Sequence, residues 1–178
     1  MTHEPLGGRA ELIAPAPAVV RRYRSPDDAA ATAATFRAAV TRTASADYDP
    51  EQVAAWAGPA DVDLAAWDAR RAATHTVVAV TQGRVVGFTD LLDDGLVDML
   101  FVHPDAGGHG MARLLVEEVR QEARRRGLVR LHTHASRTAQ PVLAHLGFRV
   151  VAERPDNRVR GVVVPNAEMA CDLGAAAG

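Results

Sequence analysis

The chain has 178 residues, 48% of them apolar and 24% charged, with a net charge of -2. That is one domain with a sizeable core, and too little basic excess for non-specific nucleic-acid binding. The lone Cys171 excludes an intramolecular disulfide and a cysteine-based zinc site, and no run approaches the roughly 20 apolar residues of a membrane span.

Residues 1–17 hold Pro5, Gly7, Gly8, Pro15 and Pro17, little apolar content and no signal-peptide pattern. They read as the flexible leader of a cytoplasmic protein, Gly174 to Gly178 as a flexible tail, and residues 18–173 as a single domain. Val19 to Tyr23 is a short β-rich run. Ser25-Pro26-Asp27-Asp28 supplies an N-cap serine, a proline at the first helical position and two acids, which predicts an alanine-rich helix to about Thr43. Asp49-Pro50-Glu51 opens a second helix, stopped by Gly58-Pro59, and Asp63 to Ala72 predicts a further helical turn or two. His75 to Thr81, Val85 to Leu91 and Leu96 to Val102 are apolar and β-branched runs separated by Gln82-Gly83 and Asp93-Asp94-Gly95. They predict an antiparallel meander of three strands.

Pro104 ends the third of these strands, and Gly107, Gly108 and Gly110 follow. Met111, Leu115, Val119 and Ala123 then recur every four residues, which is one face of a long helix. Arg124, Arg125 and Arg126 suit its last turn and Gly127 its stop. Val129 to His134 predicts a strand, Thr138 to Leu146 a short helix, and Gly147-Phe148 leads into a strand to Ala152. Val159 to Val164 and Ala167 to Leu173 close the chain with β-character. The order β-α-α-β-β-β-α-β-α-β-β predicts an α/β fold: a mixed sheet with helices on both faces.

A strand, a glycine loop and a helix start make an anion site, because the first amides of a helix are free and glycine lets backbone approach a phosphate. Here the strand is Val97 to Val102, the loop Gly107-Gly108-His109-Gly110, and the helix begins at Met111. The loop with Met111 and Ala112 lines up with the Q/R-x-x-G-x-G/A pyrophosphate loop of the GNAT N-acetyltransferase superfamily. Val102-His103-Pro104 matches the end of that superfamily's fourth strand, and Ser136-Arg137-Thr138-Ala139 with Leu146-Gly147-Phe148 its later N/S-x-x-A and x-G-F signature. Tyr48 to Trp56, Asn166 and Met169 resemble a bacterial subgroup of acetyltransferases, so the resemblance covers about residues 19–172.

The resemblance implies a sheet whose fourth and fifth strands splay apart at one end. It implies that the pantetheine arm of acetyl-CoA enters there and pairs with Leu100, Phe101 and Val102. The diphosphate would rest on Gly107, Gly108, His109, Gly110, Met111, Ala112 and Arg113, with Ser136 also at the cofactor. A small-molecule amine would then attack the thioester directly, without a metal, in a monomer or homodimer. Two positions depart from the family pattern. Gly107 replaces the Q/R side chain of the loop, and Leu143 stands where many relatives have the tyrosine that protonates the departing thiolate. His145, two residues further along the helix, points to another face.

Asp98 and His134 are the catalytic candidates. Counting in twos, Asp98 shares a face with Leu100 and Val102. It is either a general base or a rim carboxylate that orients another side chain. His134 ends the fifth strand near the cleft mouth, and an imidazole with a pKa near 6.5 suits proton abstraction from an ammonium. His132, on the same face, reads as a hydrogen-bonded sheet residue, and two histidines on one strand make no metal site. Tyr48 and Trp56 read as cover for the acceptor pocket or as core. Residues 26–75 carry eight acids against four arginines, and residues 101–160 six acids against eleven arginines. The basic half suits a polyphosphate and the acidic half a cationic amine. The competing reading is a fold that binds CoA or acyl-CoA with altered chemistry or a sensing role.

Overall fold

The structure is a computed structural model that describes residues 18–174. The expected leader over 1–17 lies outside the described residues, as does the expected tail beyond Gly174. Strand β1 (Val19–Arg22) precedes helix α1 (Ala29–Ala38). Ser25 does not cap α1. Asp28 occupies that position, and its carboxylate accepts from Arg21 at 2.6 and 2.9 Å and from the Arg24 N–H at 2.8 Å. Ser25 instead donates to Asp68 at 2.7 Å. Beyond α1 a π-helical turn covers Ala39–Thr43 and a 3-10 turn Ala44–Ala46.

Helix α2 (Pro50–Ala57) starts as the sequence predicts. Asp49 accepts from the Gln52 N–H at 2.9 Å, and Gln52 Oε1 accepts from the Asp49 N–H at 3.1 Å, which closes a capping box. Helix α3 (Leu64–Ala72) is a full nine-residue helix capped by Asp63, so three helices precede the meander where the sequence predicts two. Strands β2 (His75–Thr81), β3 (Arg84–Leu91) and β4 (Val97–Val102) form the expected meander, and β1 pairs antiparallel with β2.

Helix α4 (Met111–Arg125) leads to β5 (Arg130–Ser136), α5 (Gln140–His145) and β6 (Arg149–Arg154). A hairpin of two-residue arms, β7 (Arg158–Val159) and β8 (Val162–Val163), precedes β9 (Asn166–Asp172). The last strand inserts between β5 and β6, antiparallel to both, so the sheet orders are β1-β2-β3-β4 and β5-β9-β6.

The four-residue spacing in α4 does what it predicts. Leu115, Val119 and Ala123, with Val116, are fully buried against Val77, Leu91, Val97 and Leu131. The other sheet face is aromatic. Phe101 sits 4.9 Å from Phe36 and 5.8 Å from Phe88, and Phe88 sits 5.9 Å from Trp67, ring centre to ring centre. Each such pair adds about 0.5–1.5 kcal/mol beyond its burial.

The two sheets join at one point. Leu96 bridges His132 in parallel, the His132 N–H donates to the Gly95 carbonyl at 3.1 Å, and the Thr133 hydroxyl donates to the Val97 carbonyl at 2.8 Å. Beyond that point β4 and β5 share no strand pairing and part, which is the expected splay.

At the far end of the sheet from the splay, His75 is half-buried beside Glu122, Nδ1 to Oε1 3.5 Å, and its Nε2 has no hydrogen-bond partner among the described residues. Burial first, and Arg22 with other cations second, push its pKa down to about 4. The folded state therefore resists a proton that the unfolded chain accepts. Stability from His75 is complete above about pH 6.5 and is lost as pH falls towards 4. The expected loss is on the order of 2 kcal/mol, and His75→Gln should flatten that part of a urea-unfolding series between pH 7 and 4.

Candidate active site

Where β4 and β5 part, a cleft of about 970 Å³ opens. Leu100, Phe101 and Val102 form one wall. The β3 side of these residues is hydrogen-bonded, and their other backbone edge faces the gap left by β5. Gly107, Gly108, Gly110, Met111, Ala112 and Arg113 form the base, and Ser136 with α5 the opposite wall. The π-helical turn brings Ala39 and Thr43 to one end, beside Ala44 and Trp56. Every residue predicted at the cofactor lines this cleft except His109, which is exposed beside it.

The loop works through its backbone. Pro104 starts a 3-10 turn in which the Gly107 N–H donates to the Pro104 carbonyl at 3.0 Å, so this amide is already used. The amides of Gly108 to Arg113 have no acceptor among the described residues. Gly110 begins α4 in the left-handed region (φ 78°), and a Cβ there would meet nothing within 4 Å. Five of these six free amides belong to cleft-lining residues, beside the positive end of a fifteen-residue helix, which is an arrangement for an anion.

Ser136 accepts the Ala139 N–H at 3.1 Å and opens the turn into α5. Tyr48 lies behind that turn: its hydroxyl donates to the Pro165 carbonyl at 2.7 Å and accepts the Arg137 N–H at 2.9 Å. It ties the loop after α1 to the ends of β5 and β9 and is buried, whereas Trp56 reaches the cleft.

Counting in twos fails at Asp98. The β3–β4 register slips by one residue between Thr89↔Leu100 and Leu91↔Val97, so β4 carries a bulge at Asp98 and Met99. Val97 and Leu100, three apart, both pack towards the core under α4. Asp98 alternates with Val97 and is not on Leu100's face. On β5, Leu131, Thr133 and Ala135 are buried, and His134 is exposed on the opposite face. Neither Asp98 nor His134 lines the cleft, and no hydrogen bond or ion pair joins them; the carboxylate acts on the imidazole only as a weak charge at a distance. Desolvation first and Arg154 second hold the His134 pKa below its ordinary value, while Glu168 and Asp98 pull it up. His132 lies nearer the closed end of the gap, its Nε2 3.8 Å from Asp94.

Residues 44–171 match the family model described as acetyltransferase (GNAT) domain. Over 136 residues the chain is 33% identical to the uncharacterized N-acetyltransferase YafP of Escherichia coli K12, covering 76% of this chain and 83% of that protein. The chain belongs to the GNAT acetyltransferases. Its fold matches a GCN5-related N-acetyltransferase of Rhodopseudomonas palustris with a TM-score of 0.82 and 33% identity, over 90% of this chain and 98% of that one. It also matches the Salmonella typhimurium protein YncA, solved with its cofactor acetyl-CoA, with a TM-score of 0.67 and 27% identity, over 92% and 98% of the two chains.

The two departures from the GNAT pattern now have a structural reading. Gly107 lacks the side chain of the Q/R position, and its amide is turned inward. Leu143 is buried in the core at 2% exposure, between the sheet and α5. The α5 residues that reach the cleft are Pro141, Val142 and His145. The His145 ring contacts the Pro141 carbonyl through Nδ1 at 2.7 Å. His145 is the cleft residue that reading the sequence from position 143 passes over. The signal for it is the four-residue step from Pro141, which places both on one helix face.

Proposed function

We propose that this GNAT acetyltransferase moves an acetyl group from acetyl-CoA to the primary amine of a small cationic molecule, by direct attack of the amine on the thioester. The observation that carries this reading is the convergence, on one cleft, of the unpaired edge of β4 and the free amides of Gly108 to Arg113. An extended amide-bearing arm suits the first and a diphosphate the second. The acetyl-CoA held by YncA supports the same donor.

In this reading His134 is the general base. Its depressed pKa leaves the ring neutral at pH 7, able to take a proton from the ammonium. Asp98 faces it across the gap and stabilises the imidazolium that forms. The thiolate leaves without an acid at position 143, which a thiol of pKa near 8.5 tolerates.

The test is release of free CoA, followed with a thiol reagent across a panel of amines. Cationic amines should be the best acceptors, and added salt should raise their KM by screening the acidic half of the chain. Best turnover with acidic acceptors would sink the charge argument. CoA binding without turnover of any amine would favour a sensing role, to which the departures at Gly107 and Leu143 point. The donor site has its own variant. Acetyl-CoA should raise the melting temperature, and Gly110→Phe should remove most of that shift, because the side chain enters the open space above the loop. An unchanged shift would place the ligand elsewhere.

A further inference from the structure

The cleft is built from both sides of the sheet. Its base belongs to the start of α4, which packs on one sheet face. Its far end belongs to α2 and the π-helical turn after α1, on the aromatic face that carries Phe101. The free amides of Gly108 to Arg113 all lie on the α4 side. The far end is left for the acceptor.

That end has its own chemistry. Trp56 and Phe101 present half-buried rings to the cleft, with centres 6.1 Å apart and planes inclined at 58°. Tyr48, 5.6 Å from Trp56, backs the indole from within the core. Ala39 and Ala44 contribute only methyl groups, and Thr43 a hydroxyl. Among the described residues no carboxylate lines the cleft at any point. The carboxylates on the bordering segments are already engaged. Asp47 accepts from the Thr138 hydroxyl at 2.6 Å, and Asp105 accepts from Arg42 at 2.7 Å.

We propose that the acceptor is an arylalkylamine: a single amine on an apolar, ring-bearing body that packs against Trp56 and Phe101 while the nitrogen reaches the thioester. This rests on the acetyl-transfer reading above and names its substrate class. The reaction is unchanged. The ammonium gives its proton to the base, nitrogen bonds to the acetyl carbon, and the C–S bond breaks to release CoA thiolate. The acidic half of the chain draws in one ammonium at long range. The cleft holds no carboxylate for a second, so a polyamine would bury its other charges unpaired among rings and methyls, which is costly. A ring body instead removes apolar surface from water and gains aromatic contact, which a short alkylamine does not match.

The test is kcat/KM of the wild type, from CoA release, for phenylethylamine, propylamine and spermidine. Phenylethylamine should exceed each of the others about tenfold. Propylamine or spermidine as the better acceptor overturns the proposal and leaves acetyl transfer standing. Trp56→Leu keeps an apolar side chain against Tyr48 and removes the ring. It should lower the ratio of phenylethylamine to propylamine turnover about tenfold, and the ratio cancels any general loss of activity or of folded protein. An unchanged ratio overturns the role of Trp56. Should no amine turn over, the acetyl-transfer reading fails and binding decides the rest. Phenylethylamine should then raise the melting temperature of the CoA-saturated wild type and do so less in Trp56→Leu. No shift, or an equal shift with spermidine, overturns the proposal.

Discussion

His134→Ala should lower kcat/KM about 10²–10⁴-fold, the usual cost of losing a general base, and leave the acetyl-CoA melting shift unchanged. An amine is almost wholly protonated at neutral pH, so a proton must leave before nitrogen can attack. His134 stands on β5 between the sheet junction at His132 and Ser136, which lines the cleft, and it is exposed on the face away from the core. Its lowered pKa keeps it in the accepting form. Asp98→Asn should cost less, because it removes the partner of the imidazolium and leaves the base in place. The kcat/KM profile should rise to a plateau, since position 143 offers no acid to the thiolate. A descending limb would instead bring in His145, the titratable side chain of α5 at the cleft. Near-full activity in both His134→Ala and Asp98→Asn would mean that neither residue is the base.

What could be read from the sequence, and what could not, divides along range of interaction. The α2 capping box, the β2–β3–β4 meander and the α4 stripe are set by neighbours a few residues apart, and periodicity found them. The residues that line the cleft were legible because its free groups are backbone amides, which need only a glycine loop followed by a helix. Three features were hidden. The bulge at Asp98 arises from pairing with β3, so counting along β4 alone put Asp98 on the wrong face. The insertion of β9 between β5 and β6 depends on pairing across the chain, and no local pattern encodes it. The inward turn of Leu143 follows from how α5 packs against Phe148 and the sheet. The buried ion pair of Arg71 and Asp90, Nη2 to Oδ2 3.3 Å, was hidden for the same reason, since its partners lie nineteen residues apart on different elements.

Gly95→Ala should destabilise the protein by about 3 kcal/mol and weaken the site with it. Gly95 has φ 91°, and a Cβ there would lie 2.6 Å from the Arg130 carbonyl oxygen. Two costs combine. The left-handed conformation costs an L-residue about 1–2 kcal/mol. The contact is with backbone, so no side-chain rotation relieves it, and β5 must move away from β4. That movement strains the one junction between the sheets, because the Gly95 carbonyl accepts the His132 N–H two residues from His134. Gly83→Ala is the control. Its φ is 74° and a Cβ would meet nothing within 4 Å, so it carries the conformational cost alone. At about 2–4 °C per kcal/mol for a domain of this size, Gly95→Ala should melt roughly 6–12 °C lower than the wild type and Gly83→Ala only a few degrees lower. The junction also fixes the spacing of Asp98 and His134, so Gly95→Ala should lose kcat/KM at temperatures where it is still folded, and Gly83→Ala should not. Equal melting temperatures for the two variants would show that β5 yields to the extra methyl without cost, and that the splay is not held at Gly95.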